Sequence, residues 1–305
     1  MKEAIKEWIK FYTPDTLTEF QRQQIQTMSR GTLERLLAGI RGQEKAQWGL
    51  STTKSANRKI KNQIPLNRYD QVITRPGFTQ ADCVAHCGNS AAGEFLNTIT
   101  LIDIFSSWTL NHAIQGKKAP QVRKGFIRFR AELPFDLLAL NTDSGSEFIN
   151  SSMIRLMGPN DGQKRVTFTR SRPYKKNDNC YVEQRNFTHV RSLFGYSRFE
   201  NPELLLLMND IYQNYWNPLH NFFLPSQKLL EKIRVGAKIV KKHDIPKTPY
   251  ERLMASPDLS EEEKLNLSAE KASLNPIDLA DGLERKLKEF FDLARRLEQN
   301  NKEVA

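Results

Sequence analysis

The chain has 305 residues, of which 27% are charged and 39% hydrophobic, a composition typical of a globular protein with one sizeable core and flanking pieces. The densest apolar run, Leu204 to Met208, is far too short to cross a bilayer. Charges at Lys2, Glu3 and Lys6 interrupt any secretory signal. We therefore expect an intracellular protein with no membrane partner.

The chain is strongly basic, with 46 Lys and Arg against 35 Asp and Glu, and its net charge is +11. Such a surface attracts polyanions, and nucleic acid is the commonest polyanion inside cells. A basic protein with no nucleic-acid partner is the alternative that charge alone leaves open.

Three cysteines, Cys83, Cys87 and Cys180, are too few and too unevenly spaced for a disulfide framework. The segment "DCVAHC" also contains His86, which suggests a zinc site. However, the segment reads as a strand, and strand alternation places Cys83 and Cys87 on the face opposite His86, whereas zinc needs converging ligands. The pattern favours buried structural cysteines over a metal-thiolate site.

Residues 1–50 are predicted to form an N-terminal helical segment, with helices over 2–12 and 17–28 and a third helix capped by Ser29. The third helix reads "SRGTLERLL", which indicates a possible partial helix-turn-helix module. A small helical bundle without a role in DNA binding is the alternative. Residues 51–75 hold many cations and few apolar residues, and we interpret them as an extended basic linker, either solvated or lying along phosphates.

Residues 76–245 are predicted to form the main domain. Strands are indicated by "FTQADCVAHCG", by two runs within "GEFLNTITLIDIFSSWTLNHAI", by "FDLLALNTD" and by "RVTFTRS". Helices are indicated over 119–132, 147–157 and 178–194. Antiparallel strands followed by alternating strands and helices predict an α/β fold, in which a mixed sheet carries helices on both faces. Beyond Pro202 the chain is predicted to be mostly helical.

Residues 246–305 are predicted to form a C-terminal helical segment. Asn275 and Pro276 provide the cap and the first position of its last helix. One side of this helix carries an apolar stripe, which must be buried either on the protein's own core or on a second copy. The stripe comprises Leu279, Leu283, Leu287, Phe290, Leu293 and Leu297.

Three carboxylates occur among apolar residues of the main domain: Asp82 in the first strand, Asp143 at the end of a later strand, and Glu183 in a helix. Glu183 lies on an apolar helical stripe and is predicted to face the core, where a carboxylate needs a positive partner. A salt bridge is the alternative for Glu183 alone, but three such carboxylates together suit a hard divalent cation. The stripe comprises Cys180, Glu183, Phe187, Val190 and Phe194.

Two segments resemble the catalytic cores of retroviral integrases and DDE transposases. "NTDSGSEF" resembles the family's Asp-Asn-Gly-x-Glu-Phe turn, and "SRPYKKNDNCYVEQRNFTHVR" resembles its Ser-x-Pro loop and Val-Glu-x-x-Asn segment. "VAHCG", "PLHNFFLPS" and "TPYERLMASP" are similar to a group of bacterial insertion-sequence transposases, and this likeness runs from about residue 50 to 290. Ser144 stands where the family usually has Asn.

The resemblance implies a ribonuclease H-like fold with a mixed five-stranded sheet, flanking helices, and helical N- and C-terminal segments. It implies a catalytic triad of Asp82, Asp143 and Glu183, which would bind Mg²⁺ or Mn²⁺ as a pair of ions. The implied activity is that of a polynucleotidyl transferase, which cleaves DNA ends and transfers the strand in DNA recombination. The implied partners are element ends, target DNA and further copies of the chain, with no small-molecule substrate, in the bacterial cytoplasm at the nucleoid.

Alternatives remain for individual residues and for the activity. Asp103 is the main competitor for the first carboxylate position, and Glu147 is a competing ligand that we interpret as a helix-start residue, as we do Asp178. A metal-dependent nuclease of the same fold, and an inactive or truncated DNA-binding protein, are the alternative functions.

A polar and basic cluster around Glu183 is predicted to bind the DNA backbone, with Tyr174 placed to stack on an unpaired base. A solvated basic loop is the alternative. The cluster comprises Arg170, Arg172, Tyr174, Lys175, Lys176, Asn177, Asn179 and Arg185.

Overall fold

The structure, a computed structural model, describes residues 18–29, 31–32, 56–67, 73–159, 165–172, 176–235 and 238–304. In chain order the helices are α1 Glu19–Thr27, α2 Arg58–Lys61, α3 Ala119–Glu132, α4 Ser151–Met157, α5 Cys180–Arg185, α6 Pro202–Ile211, α7 Asn217–Phe223, α8 Pro249–Met254, α9 Glu261–Ser273 and α10 Pro276–Val304. The strands are β1 Phe78–Ala85, β2 Leu96–Asp103, β3 Thr109–Gln115, β4 Ala139–Thr142, β5 Thr167–Arg170, β6 Leu229–Val235 and β7 Lys238–His243. A 3₁₀ turn precedes α5, and π-helical segments follow α5 and α6; these are Lys176–Asn179, Asn186–Arg191 and Tyr212–Trp216. A short helical turn, Ser192–Phe194, follows the first π-helical segment.

Five strands form one mixed sheet in the order β3-β2-β1-β4-β5. The first three pair antiparallel, and β4 and β5 run parallel to β1. All eight residues of β2 are buried because both faces of the sheet are covered. The predicted α/β fold, a mixed five-stranded sheet with flanking helices, is thereby confirmed, and the strand order and directions are those of the ribonuclease H-like fold.

The free edge of β3 is covered by three asparagine side chains from the helices beside it. The amides of Asn209, Asn217 and Asn221 each accept from one backbone N–H of β3 and donate to the carbonyl of the same residue, at 2.9 to 3.3 Å. Four helical residues rise about 6 Å and two strand residues about 6.8 Å, so Asn217 and Asn221 match alternate residues of the strand. The side chains therefore replace a missing neighbouring strand and close the sheet edge.

The apolar stripe of the last helix is buried on the protein's own core. Phe290 is fully buried, and its ring lies 4.9 Å from those of Phe194 and Phe199. Asn275 Oδ1 accepts from Ile277 N at 2.9 Å, which confirms the predicted cap of α10. Of the two alternatives for the stripe, burial within the chain is therefore the one that the structure shows.

The N-terminal residues are described in part. The helix predicted over 17–28 is present as α1, and Ser29 Oγ accepts from Thr32 N at 3.1 Å as a cap should. The helix over 2–12 and most of the possible helix-turn-helix lie outside the described residues. Part of the predicted linker packs on the sheet, since Ile64 is buried and Leu66 bridges to Arg170 at β5.

Strands β6 and β7 pair antiparallel as a separate two-stranded ribbon. The prediction of a mostly helical chain beyond Pro202 is wrong for this segment, where β-branched residues alternate with lysines and favour strands. Within the described residues, no helix is both long and apolar enough to cross a membrane.

Candidate metal and nucleic-acid site

Two of the predicted site carboxylates lie side by side on adjacent strands. Strands β1 and β4 are parallel, with Ala81 opposite Thr142. One residue further along each chain come Asp82 and Asp143, which therefore share one face of the sheet at the roughly 4.8 Å spacing of neighbouring strands. Asp143 Oδ1 accepts from Gly145 N at 2.9 Å, and this turn ends the strand directly after the carboxylate.

Helix α5 brings the third carboxylate over β1. Val182 N donates to Gln80 Oε1 at 3.3 Å, and Asn186 Nδ2 donates to Asp82 Oδ2 at 2.6 Å. Glu183 lies between these two anchoring residues, and its side chain is exposed. Its negative charge contributes to the raised pKa of Asp82, so the structure places all three predicted carboxylates in one neighbourhood.

The electrostatics of this neighbourhood are unfavourable for two ionised aspartates. Burial and then the adjacent Asp143 raise the pKa of Asp82 to about 7, against the opposing hydrogen bonds from Cys83 N and Asn186. Burial also raises the pKa of Asp143, with Glu147 adding to the rise and the Gly145 amide opposing it. A positive charge placed between the two aspartates would relieve this repulsion.

The donor set fits a hard divalent cation. In the described part of the chain, Asp82 and Asp143 are bonded by backbone amides and Asn186, and no Lys or Arg forms an ion pair with them. Oxygen-only ligands are what Mg²⁺ and Mn²⁺ prefer. As the side chains stand, no three His, Cys, Asp or Glu residues among those described lie close enough to hold an ion. Glu183 is the most exposed of the three predicted carboxylates.

Glu147 is a buried carboxylate beside Asp143, and its interpretation as a helix-start residue is wrong. Helix α4 begins at Ser151, and its cap is Asn150, whose side chain accepts from Met153 N. Glu147 is instead 4% exposed and forms an ion pair with Lys117 at 3.2 Å, while its Oε2 has no hydrogen-bond partner.

Gly145 is required where these two carboxylates approach each other. A Cβ placed on Gly145 would lie 2.5 Å from Glu147 Oε2 and 3.0 Å from Asp143 Oδ1. These two oxygens are therefore at most 5.5 Å apart, the sum of those distances. Glu147 thus adds a second negative group at Asp143, which the sequence suggested only through the Glu of "DSGSEF".

The prediction that an apolar stripe points Glu183 into the core is wrong. Cys180 and Glu183 are exposed and Phe187 is 57% exposed, whereas Val190 and Phe194 are buried. The cause is the π-helical segment Asn186–Arg191, whose wider turn shifts the phase of every later residue. Counting 3.6 residues per turn therefore does not predict which side of the helix faces the core beyond this segment.

Asp103, the competitor for the first position, has a structural role. It is fully buried and accepts from Gly77 N, Ser106 N and Ser106 Oγ at 2.6 to 2.9 Å. Burial raises its pKa to about 6. It pairs with Thr79, three residues along β1 from Asp82, and so lies away from Asp143.

The cysteines do not lie together on the sheet, and the expectation that all three are buried is wrong in part. Cys87 is buried, Cys83 is half-buried and Cys180 is exposed. His86 is fully buried, and its Nε2 lies 2.9 Å from Thr98 Oγ1. The ring therefore has a partner within the core, as expected for a structural histidine.

Several members of the predicted DNA-binding cluster form contacts within the protein. Arg170 Nε donates to the carbonyls of Lys61 and Ile64, and so holds the segment before β1. Asp178 lies in the first turn of the 3₁₀ segment that leads into α5, as predicted for a helix-start residue, and its buried carboxylate also binds Arg172 at 2.8 Å.

Two further members of the cluster, Asn179 and Arg185, are at least partly buried. Asn179 is 7% exposed, and its amide lies against Asn141 and Ser171 within the protein. Arg185 is half-buried, and burial lowers its pKa to about 10, with Arg252 adding to the effect. Residues 173–175, which include Tyr174 and Lys175, lie outside the described residues, as do the side chains of Lys176 and Asn177.

Sequence reasoning missed two residues that shape the site. Asn186 holds Asp82, and its signal was present as the Asn of "VEQRN", three residues after Glu183 and hence on the same side of a helix. Lys117 pairs with Glu147 from the end of β3, 30 residues away in sequence, and no local pattern indicates such a contact.

Comparison with known proteins gives matches that cover only part of each protein. No family model matches the sequence. The uncharacterized protein y4rM of Sinorhizobium fredii (strain NBRC 101917 / NGR234) is 32% identical over 246 residues, which cover 78% of this chain. The chain spans 66% of the length of that protein.

Two solved structures show partial likeness. The catalytic core domain of BIV integrase has 18% identity and a TM-score of 0.27, over 35% of this chain and 62% of that one. A simian T-cell lymphotropic virus intasome in complex with the PP2A regulatory subunit B56 gamma has 13% identity and a TM-score of 0.34, over 60% of this chain and 61% of that one. These superpositions are too loose to bear on activity, and the fold class rests on the chain's own strand order.

Proposed function

We propose that this protein is a divalent-metal-dependent polynucleotidyl transferase of the DDE transposase and integrase type, which cleaves DNA ends and transfers the freed strand. The observation that carries the proposal is the placement of Asp82 and Asp143 side by side on β1 and β4, where no described Lys or Arg forms an ion pair with either carboxylate. Lys61 and Lys117 lower the pKa of Asp143 only in part, since burial keeps it raised, and a bound cation would stabilise both carboxylates in the ionised form.

In this proposal Asp82 and Asp143 hold Mg²⁺ or Mn²⁺, as a pair of ions, and Glu183 completes the ligand set from α5. Bound ions would activate a water or a 3′ hydroxyl and stabilise the leaving oxygen at phosphorus. The chain's own residues supply position: Asn186 fixes the Asp82 carboxylate, and Gln80 fixes the start of α5. Glu147, held by Lys117, keeps a further negative charge at Asp143.

The substrate that suits this chemistry is DNA, as element ends and target. A net charge of +11 supports a polyanionic substrate over a small molecule. End joining needs two DNA ends held together, so we also propose that the chain acts as a homo-oligomer. We retain residues 76–245 as the catalytic core in this proposal, with residues 1–50 and 246–305 as helical flanks and 51–75 as the segment between.

The proposal is tested by nicking of supercoiled plasmid with Mg²⁺ or Mn²⁺, using the full chain. Asp82→Asn, Asp143→Asn and Glu183→Gln should each lose at least about 100-fold of the metal-dependent rate, since each removes a charged ligand. Glu262→Gln, which changes an exposed carboxylate on α9, is the matched control and should retain it. Mn²⁺ binding by calorimetry should weaken in the two aspartate variants. If all three variants nick as fast as the wild type, the proposal fails.

A second assay separates transfer from plain hydrolysis. Duplexes carrying the DNA that flanks the gene, with the 3′ end already exposed, are incubated with target plasmid. Joined products support the transferase. Cleavage that depends on Asp82 without any joining on these substrates would assign the fold to a metal-dependent nuclease instead.

A further inference from the structure

The β6–β7 ribbon is the most exposed basic element of the described chain. Every residue of β7 is exposed, as are residues 229–234 of β6. The ribbon carries five cations and one carboxylate, a large share of the protein's net charge of +11. The cations are Lys232, Arg234, Lys238, Lys241 and Lys242, and the carboxylate is Glu231.

On one face of this ribbon, all the charged side chains are cations. Lys232 lies directly opposite Lys241, and Arg234 lies opposite Ile239, so these four side chains share a face that holds no carboxylate. Like charges directly opposite each other destabilise a pair of strands. No ion pair is recorded for either lysine in the described structure. The ribbon therefore tolerates an uncompensated repulsion that an anion would remove.

The base of the ribbon is firmly held. Asp244 Oδ1 accepts from Lys228 N at 2.6 Å, and Asp244 N donates to Lys228 O at 2.9 Å. Arg252, which is 8% exposed, binds Asp244 at 2.6 Å and the carbonyl of Ser226 at 2.6 Å. These contacts at the base of the ribbon fix the position of the exposed strands on the rest of the protein.

We propose that the β6–β7 ribbon binds duplex DNA, with the face of Lys232, Arg234 and Lys241 against the phosphates. A two-stranded ribbon fits the major groove, which is about 12 Å wide. A second copy of the chain fits less well, because two copies of this face would repel each other. The apolar pair on the other face, Ile233 and Val240, is only half covered, at 47% and 53% exposure, and is too small to hold a dimer.

This inference rests on the proposed function for the identity of the ligand, and it adds where the chain grips it. Of the cations that the sequence places around Glu183, Arg170 and Arg172 are engaged inside the protein. The ribbon supplies exposed cations in their place. Its contacts are to phosphate, so they should contribute affinity and salt dependence without sequence preference.

The test compares two double variants of the full chain on a random-sequence duplex of about 30 base pairs, by fluorescence anisotropy over a range of NaCl. Lys232→Gln/Lys241→Gln should weaken binding about tenfold at low salt and lower the slope of log K against log salt by about 2, near one per phosphate contact. Arg285→Gln/Lys288→Gln removes the same charge from an exposed side of α10 and should leave both quantities unchanged. Thermal unfolding checks folding: the ribbon variant should be at least as stable as the wild type, because the substitution relieves repulsion.

The outcomes are distinguishable. If the ribbon variant binds with the wild-type affinity and slope, the ribbon does not grip DNA, whether or not Asp82 is catalytic. If it retains duplex binding but changes the mass of the DNA-free protein by sedimentation, the ribbon is a contact between copies, and the inference is overturned. If the wild type does not bind the duplex even at low salt, both this inference and the proposed function fail.

Discussion

The repulsion between Asp82 and Asp143 should make the metal-free protein less stable as pH rises, and Asp82→Asn should remove much of that loss. Burial and Asp143 raise the pKa of Asp82 from 3.8 to about 7 in the folded state. A folded-state pKa above the unfolded one means that the protonated acid is favoured on folding. Its stability is present below about pH 4 and is lost as pH rises through about 7.

The magnitude follows from that difference. About three pH units correspond to about 4 kcal/mol at most, and Asp82 is only half-buried, so water screens part of it. We expect a gain of about 2 kcal/mol for Asp82→Asn at pH 8. The new Asn can still accept from Cys83 N, and if the Asn186 amide turns over, the NH₂ group of the new Asn can donate to Asn186 Oδ1, a buried oxygen that has no partner in the wild type.

The assay is urea unfolding in EDTA at pH 5 and pH 8. The wild type should lose about 1 kcal/mol more than Asp82→Asn between these two conditions, because part of the loss has already occurred by pH 5, and Asp143→Asn should mimic the effect. The double variant should gain less than the sum of the two, since both substitutions remove one repulsion. Asp103→Asn is the informative contrast: its pKa is also raised, but Asn cannot accept all three of its hydrogen bonds, so it should destabilise. Equal losses for the wild type and Asp82→Asn would refute the reasoning.

Three further outcomes are expected. Asn221→Ala strips a donor and an acceptor from the β3 edge and should cost about 2 kcal/mol in urea unfolding, with faster amide exchange in β3; unchanged exchange would contradict the capping role. Arg172→Ala leaves Asp178 buried without its cation and should cost about 2 kcal/mol, less than a fully buried pair because Arg172 is 40% exposed; Arg172→Lys should recover part of it. Gly145→Ala places a methyl group between the carboxylates of Asp143 and Glu147 and should weaken Mn²⁺ binding at least about tenfold by calorimetry. Wild-type affinity in this variant would show that the turn can adjust.

The strands and most helices could be predicted because their signals are local. Apolar and β-branched runs marked β1 to β5, and the range 119–132 matches α3 Ala119–Glu132. Helix α4 began later than predicted, at Ser151, because Glu147 took a partner from a distant loop and Asn150 was the stronger cap. The ribbon was missed because its lysines follow no helical or fully apolar pattern.

The candidate site also combines features that the sequence could predict with features that it could not. The choice of Asp82 over Asp103 came from a family resemblance, and the register of β1 with β4 gives it a physical basis that no single strand contains. The predicted orientation of Glu183 was wrong, because the π-helical segment Asn186–Arg191 breaks the 3.6-residue period and leaves no periodic signal in the sequence. Hydrogen bonds across 100 residues, such as Asn186 to Asp82, lie beyond any local pattern.

Which lysines and arginines are available to bind DNA depends on the contacts in the folded chain and not on the net charge of the sequence. Arg172 lies near Glu183 in sequence, yet Asp178 neutralises it, whereas Lys232 and Lys241 are distant in sequence and face each other unneutralised. The two sites should therefore respond oppositely. Arg172→Gln should lower stability and leave the salt slope of DNA binding almost unchanged, while Lys232→Gln/Lys241→Gln should not lower stability and should lower the slope. If Arg172→Gln lowers the slope by about 1, the Asp178 pair opens to bind phosphate, and the grip lies at the catalytic loop.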